Sequence, residues 1–268
     1  MLLPRAAGIY NNICDKKHRL GIIFLKIFVI SLLRSPERRA RIASQLHQLN
    51  IEFEFFDAID GSKGDHTLWT NYNYIKRKWL ISGKQPSRGE LGCFASHYLL
   101  WRRCIELNEP LLLIEDDAFI KPNFAEHLAS IDHELKKFPF LRLESETGLC
   151  SITPIKRSSR YSIGFMSDNT GGTRSYAIAP LAAIKLLEGA NRWCMPVDNY
   201  IGAAYLHKVS SYIYQPAVIL DTNEFGTTIQ LGDEGKAPHY IKLSRELYKG
   251  YQKLRMRIYN SLIRWRGW

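Results

Sequence analysis

The sequence predicts an α/β fold in which a mixed, mainly parallel sheet is flanked by helices, and three observations carry that prediction. Apolar runs of strand length alternate with stretches whose apolar residues recur every three to four positions. The sharpest run, residues 110–120 (PLLLIEDDAFI), stops abruptly at three adjacent carboxylates, Glu115, Asp116 and Asp117. Hydrophobic residues make up 46% of the 268-residue chain, enough for a sizeable core.

The elements follow in order. Residues 27–33 read as the first core strand, preceded by a leader over 1–26. Ser35 can cap a helix with Pro36 at its first position, and Ile42, Leu46 and Leu49 supply the apolar face. Residues 51–56 (IEFEFF) alternate as a strand and end in the turn Asp57-Ala58-Ile59-Asp60-Gly61. Residues 62–88 are rich in aromatics and bases without a clear period, which suits an excursion or short helices. From Gly89 a helix is expected, with Leu91, Phe94, Ala95, Tyr98 and Ile105 on one side, and the carboxylate strand follows it directly. Residues 124–135 read as helix, 140–143 and 175–179 as strands, and 181–187 as helix. There is no internal repeat or low-complexity segment, so residues 27–241 are taken as one domain and 242–268 as a tail.

Composition narrows the setting. Five scattered cysteines form no CxxC, which argues against a disulfide framework or a zinc site and suits a reducing cytoplasm. The longest apolar stretch, residues 20–33, is interrupted by Lys26 and falls short of a bilayer span. It also lacks the cleavage site of a secretory signal. The formal charge of +11 is concentrated in the tail, where residues 242–268 hold eight bases and one acid. Leu247, Tyr251, Leu254, Ile258 and Leu262 recur there at helical spacing. That pattern suits an amphipathic helix on an anionic membrane surface, or equally a helix whose apolar stripe docks on the body. No nucleic-acid motif accompanies the charge, so nucleic acid is not an expected partner.

The carboxylate triplet is the chemical focus. Three adjacent acids repel one another and raise each other's pKa unless a cation neutralises them. Hard oxygen ligands at the carboxyl end of a strand suit Mg²⁺ or Mn²⁺ carrying phosphate, and open α/β sheets bind ligands at that end. A solvated turn after a core strand is the alternative.

A set of co-linear motifs then carries a resemblance: Val29-Ile30-Ser31-Leu32 with Arg34 and Arg38; Phe56-Asp57-Ala58-Ile59-Asp60-Gly61; Gly89-Glu90-Leu91-Gly92-Cys93 with Ser96-His97; Glu115-Asp116-Asp117; and Pro196-Val197-Asp198. From about residue 27 to 220 the chain resembles glycosyltransferase family 25, which includes bacterial lipooligosaccharide galactosyltransferases. The resemblance implies a GT-A type fold and an inverting transfer of a hexose, galactose or glucose, from a UDP-sugar to a hydroxyl of a lipooligosaccharide or lipopolysaccharide core glycan. It implies Mn²⁺ or Mg²⁺ on Asp117, with Asp116 on the metal or the ribose and Glu115 in support. Ser31, Arg34, Arg38, Ala58, Asp60, Ser96 and His97 are the expected donor-binding residues. Asp198 is the expected general base and Glu90 its competitor; a helix cap and a helix start explain the same two acids. Arg38 also suits a solvated helix face, His97 a hydrogen-bonded core histidine, and Gly171-Gly172-Thr173 either a backbone approach to the sugar or a loop tip. His239 is a further candidate metal ligand. Such an enzyme is expected in the cytoplasm, peripheral at the inner face of the membrane through its tail.

Two other classes use some of the same features. A metal-dependent phosphodiester or nucleotide hydrolase needs an acidic cluster, though with more dispersed His and Asp ligands than this chain offers. A non-catalytic membrane-surface adaptor needs only the tail.

Overall fold

Central strands buried on both faces set the architecture of this computed structural model, which describes residues 25–146, 150–221 and 239–267. Strand β1 (Lys26–Ser31) leads into α1 (Pro36–Gln48) and β2 (Glu54–Asp57). After 3-10 turns at Gly61–Lys63 and Thr67–Asn71 and a short helical stretch over residues 74–81, α2 (Arg88–Leu107) runs to β3 (Leu111–Glu115) and β4 (Ala118–Ile120). There follow α3 (Phe124–Leu135), β5 (Phe140–Arg142), β6 (Ile152–Arg157), β7 (Ser162–Met166) and β8 (Ser175–Ile178). The second half closes with α4 (Pro180–Gly189), α5 (Val197–Gly202), α6 (Ala204–His207), β9 (Tyr212–Gln215), β10 (Ile219–Asp221) and α7 (Lys242–Arg266).

Eight strands form one sheet in the order β2-β1-β3-β8-β5-β9-β7-β6, and β4 pairs with β10 in a separate ladder. The sheet is mixed. Its parallel pairings are those of β1 with β2 and β3 and of β5 with β9, and its remaining neighbours run antiparallel. Alternate residues of each central strand enter opposite cores. Phe28, Ile30, Leu111 and Leu113 join the core beneath α2, α4, α5 and α6, whereas Ile27, Val29, Leu112 and Ile114 join the core beneath α1 and α3.

Helix α2 is the main support of the site. Ser87 caps it by accepting from Glu90 N at 3.0 Å, and Phe94, Leu100, Trp101 and Cys104 are fully buried along it. Burial of each large apolar side chain contributes roughly 1.5–3 kcal/mol. At its C-terminal end Asn108 takes the left-handed conformation, which stops the helix ahead of β3. The expected cap of α1 differs: Pro36 starts the helix, but the Ser35 side chain makes no capping bond. Strand β1 ends at Ser31, two residues before the expected limit, because the turn from Leu32 to Ser35 closes there with a 3.0 Å backbone bond. The leader expected over 1–26 lies outside the described residues except for its last two positions. No helix among the described residues is long and apolar enough to cross a membrane.

Candidate functional site

The pleat fans the three carboxylates apart. Glu115 follows Leu111 and Leu113 onto the α2 face of the sheet, Asp116 falls on the α1 face, and Asp117 begins the turn into β4. Ile30 is paired with Glu115, so Ser31, one residue further on, lies beside Asp116 on the α1 face. Each acid therefore reports to a different element.

On the α2 face a buried relay reaches Glu115. Trp101 Nε1–H donates to the Tyr176 hydroxyl at 2.8 Å, and that hydroxyl lies 2.8 Å from His97 Nδ1. His97 Nε2 is 3.3 Å from Glu115 Oε1, which also accepts from Thr173 Oγ1 at 2.5 Å. With the Tyr176 proton directed at Nδ1, the imidazole carries its own proton on Nε2 and donates to Glu115. Burial opposes ionisation of Glu115, but the hydrogen bonds from His97 and Thr173 and the nearby Arg174 charge hold its carboxyl below the ordinary range. His97 is thus a hydrogen-bonded core histidine that also touches the acidic triplet.

On the α1 face, Ser31 Oγ donates to Asp116 Oδ2 at 2.5 Å and Arg38 Nη1 lies 3.4 Å from Oδ1. Burial pushes the Asp116 carboxyl up and these two partners counter it. Arg41, which sequence reasoning did not single out, clamps the turn by donating to the carbonyls of Asp116 and Ala118 at 3.2 and 3.1 Å. Asp117 sits 3.4 Å from Arg174 Nε, and Arg174 also reaches Glu144 at 3.2 Å and Asp221 at 3.1 Å. Burial, then the adjacent Glu115, outweigh Arg174 and push Asp117 up to about 6. An acid held this far from easy ionisation by its neighbours gains from a cation, and its hard oxygens suit Mg²⁺ or Mn²⁺.

The triplet faces a cleft of about 460 Å³. Ten of the twelve site residues expected from the sequence line it: Ser31, Arg34, Arg38, Ala58, Asp60, Ser96, His97, Glu115, Asp116 and Asp117. Its outer wall is the 58–61 loop, which is pressed onto α2. A Cβ on Gly92 would stand 2.3 Å from Ile59 O, and one on Gly61 would stand 2.0 Å from Arg88 O. Only glycine permits that approach. Ser96 fixes the same contact: its hydroxyl is bonded to Ile59 N and Gly92 O, each at 2.8 Å. Asp60 caps the following turn through Ser62 and is bonded by Arg34 Nε at 2.8 Å. Its carboxyl is held below the ordinary range, chiefly by the Ser62 hydroxyl.

Glu90 and Asp198 do not line this cleft. Glu90 is buried, 2.6 Å from Arg77 Nη2 and 3.4 Å from the Tyr72 hydroxyl; burial pushes its carboxyl up. Asp198, half-buried in the first turn of α5, accepts from Asn199 N at 2.7 Å. The charge of Asp198 is nonetheless felt at both Glu90 and Cys93, whose thiol burial pushes well up and whose neighbours include Glu115 and Asp117. Cys93 lines the cleft, whereas Asp198 does not.

The loop containing Gly171, Gly172 and Thr173 is packed into the site. Arg142 Nη2 donates to Gly171 O at 3.1 Å, and Thr173 holds Glu115. His239 is exposed in the 3-10 turn ahead of α7 and is not among the lining residues. Among the described residues, Cys93, His97 and Glu115 bring three possible metal-ligand atoms within 4.8 Å of one another. That set does not fit a hard cation: the thiol is held protonated and both His97 nitrogens already have partners.

The family model of glycosyltransferase family 25 (LPS biosynthesis protein) matches residues 24–201. The lipooligosaccharide biosynthesis protein lic2B of Haemophilus influenzae is 33% identical over 170 residues, covering 59% of this chain and 61% of that protein. Procollagen galactosyltransferase 2 of Homo sapiens is 30% identical over 205 residues, covering 70% of this chain and 32% of the human one. The inactive glycosyltransferase 25 family member 3 of Mus musculus is 36% identical over 115 residues, covering 39% of this chain and 18% of the mouse one. The chain thus spans between about a fifth and a third of the length of these animal relatives. Every motif that frames the cleft lies inside the matched segment, and the chain belongs to glycosyltransferase family 25.

Proposed function

We propose that this protein is an inverting hexosyltransferase with a GT-A type fold, moving galactose or glucose from a UDP-sugar to a hydroxyl of a lipooligosaccharide or lipopolysaccharide core glycan. The observation that carries the reading is the fan of Glu115, Asp116 and Asp117 opening on the cleft between the 58–61 loop and α2. A relative named for lipooligosaccharide biosynthesis and another named as a galactosyltransferase support the substrate class.

In this reading the 58–61 loop receives the uridine, and Arg34 and Arg38 face the diphosphate, since guanidinium suits bidentate anion recognition. Asp117, with Asp116, would hold Mn²⁺ or Mg²⁺. A bound divalent cation neutralises charge developing on the leaving diphosphate. Glu115 is the orienting member of the triplet, fixed by His97 and Thr173. Asp198 takes the proton of the acceptor hydroxyl as it attacks the face opposite the leaving group. Glu90 is the weaker choice for that task, because Arg77 and Tyr72 already occupy its oxygens.

Calorimetric titration with UDP, in Mn²⁺ and then in EDTA, tests the reading. Binding is expected only with the metal, lost in Asp117→Ala and retained in Asp198→Ala, while Asp198→Ala loses transfer. A folded protein that binds UDP in neither condition overturns it. Normal turnover by Asp198→Ala removes the base assignment alone.

A further inference from the structure

Helix α7 carries two apolar faces, and the fold uses only one. On the inner face Tyr259 is buried, with its hydroxyl 2.9 Å from Ser210 Oγ, and Met256 and Ile263 pack with it against the body. Ser244 Oγ donates to Trp79 O and Asn260 Nδ2 to Ser167 O, each at 2.8 Å, so both halves of the helix are fastened.

The outer face contains the stripe read from the sequence, Leu247, Tyr251, Leu254, Ile258 and Leu262, and adds Leu243 and Trp265. At 100° per residue, Leu243, Leu247, Leu254, Ile258, Leu262 and Trp265 fall within an arc of roughly 100°. All six are 47–83% exposed. The docked alternative is therefore not what this stripe does; Tyr259 and its neighbours dock instead. Along one edge of the stripe run five exposed bases, Lys242, Lys249, Lys253, Arg257 and Arg264. Tyr240, 69% exposed, places its ring 6.0 Å from that of Trp79, 44% exposed, and so extends the apolar surface onto the 74–81 segment.

A stripe of this kind left in water marks an interaction surface. Its charge selects the partner: a continuous apolar band with a basic edge complements an interface of acyl chains beneath anionic headgroups. We propose that the outer face of α7, together with Trp79 and Tyr240, is a docking surface for an anionic lipid bilayer. The helix lies in the headgroup plane with its stripe toward the acyl chains and its basic edge on lipid phosphates. The purpose of the contact rests on the transferase reading, because a lipid-linked acceptor is held at such a surface; the contact itself does not. The stretch on which α7 is seated also supplies Arg77 to Glu90.

The full chain would be sedimented with vesicles of phosphatidylethanolamine containing phosphatidylglycerol, and with vesicles of phosphatidylcholine alone, at low and high salt. Two triple variants accompany it, one in the stripe (Leu247→Glu, Leu254→Glu, Ile258→Glu) and one in the basic edge (Lys249→Glu, Lys253→Glu, Arg257→Glu). Circular dichroism and UDP titration serve as fold controls, since neither triple touches the cleft. Expected are binding to the anionic vesicles that salt weakens, loss of binding in the stripe triple, and affinity weaker by about 100-fold or more in the edge triple. UDP binding should be unchanged in both. Absent UDP binding with vesicle binding intact leaves the docking surface standing and removes only the donor-site reading. The proposal is overturned if the chain ignores anionic vesicles at low salt, or if both triples bind like the parent. It is also overturned if light scattering finds a dimer that the stripe triple dissolves while vesicles go unbound, which would assign the stripe to a second copy.

Discussion

Removing one oxygen atom from the core should loosen the acidic site. In Tyr176→Phe the ring and its packing stay, but the hydroxyl that accepts from Trp101 Nε1 and meets His97 Nδ1, both at 2.8 Å, is gone. All three residues are at most 2% exposed, so water cannot take its place. Each orphaned polar group costs about 1–3 kcal/mol, which puts the loss near ~3 kcal/mol after partial relaxation. Urea unfolding should give this value with an unchanged slope. Trp101→Phe removes one of the two orphaned groups, so the double variant should cost about 1–2 kcal/mol less than the sum of the singles. The site responds because Tyr176 fixes the tautomer of His97. Without it Glu115 loses a held donor, and its carboxyl, now below the ordinary range, should titrate higher when followed by NMR. A loss under about 0.5 kcal/mol, or an unmoved Glu115, refutes the reasoning.

Three further predictions follow from the same contacts. Gly92→Ala drives a Cβ to 2.3 Å from a backbone oxygen, so calorimetric melting should register about 1–3 kcal/mol of destabilisation, with weaker UDP binding as the 58–61 loop is pushed outward; an unchanged melting point counts against that wall. His207 is buried with its Nε2 bonded to Tyr200 O and its Nδ1 accepting from Val209 N, and burial lowers its pKa from 6.5 to about 4. The unfolded chain therefore binds the extra proton first: the stabilisation, on the order of 3 kcal/mol, is full above 6.5 and lost as pH falls toward 4. Urea midpoints should show a fall over that window that is reduced in His207→Gln, and equal falls in both proteins would be contrary evidence. Ser31→Ala removes the 2.5 Å bond that counters burial of Asp116, so at neutral pH the variant should be about 1–2 kcal/mol less stable, with the deficit shrinking as acid protonates the carboxyl in both proteins.

The sequence announced elements whose periodicity was strong and local. Residues 124–135 form a helix with the expected ends, and the apolar run before Glu115 is the central strand β3. It was silent on β6 and β7, where Pro154 interrupts the pattern beside a register shift and the outermost strand β6 buries little. Strands β9 and β10, of four and three residues, also went unread. Within the site, residues of the first half were legible because they cluster at strand ends in one βαβ-like stretch. Arg174 and Tyr176 were not, because strand pairing between β3 and β8 brings them toward Glu115 from about sixty residues away, and Glu144, just beyond β5, joins the site through Arg174. Arg77 was read only as one base among several, since nothing local reveals that it faces Glu90.

The antiparallel setting of β8 beside β3 reverses which of its flanking loops matters. A parallel neighbour would present its exit loop to the acidic end of β3; β8 presents its entry loop, residues 167–174, and delivers Thr173 and Arg174 there before the strand begins. That loop joins β7 to β8 within one sheet, and it is bonded to the core along its length: Asn169 accepts from the buried Arg142 and donates to Ser211, and Gly171 O accepts from Arg142. A change in its sequence therefore acts on the cleft and on the core together, through Thr173 at Glu115 and through Asn169 at Arg142.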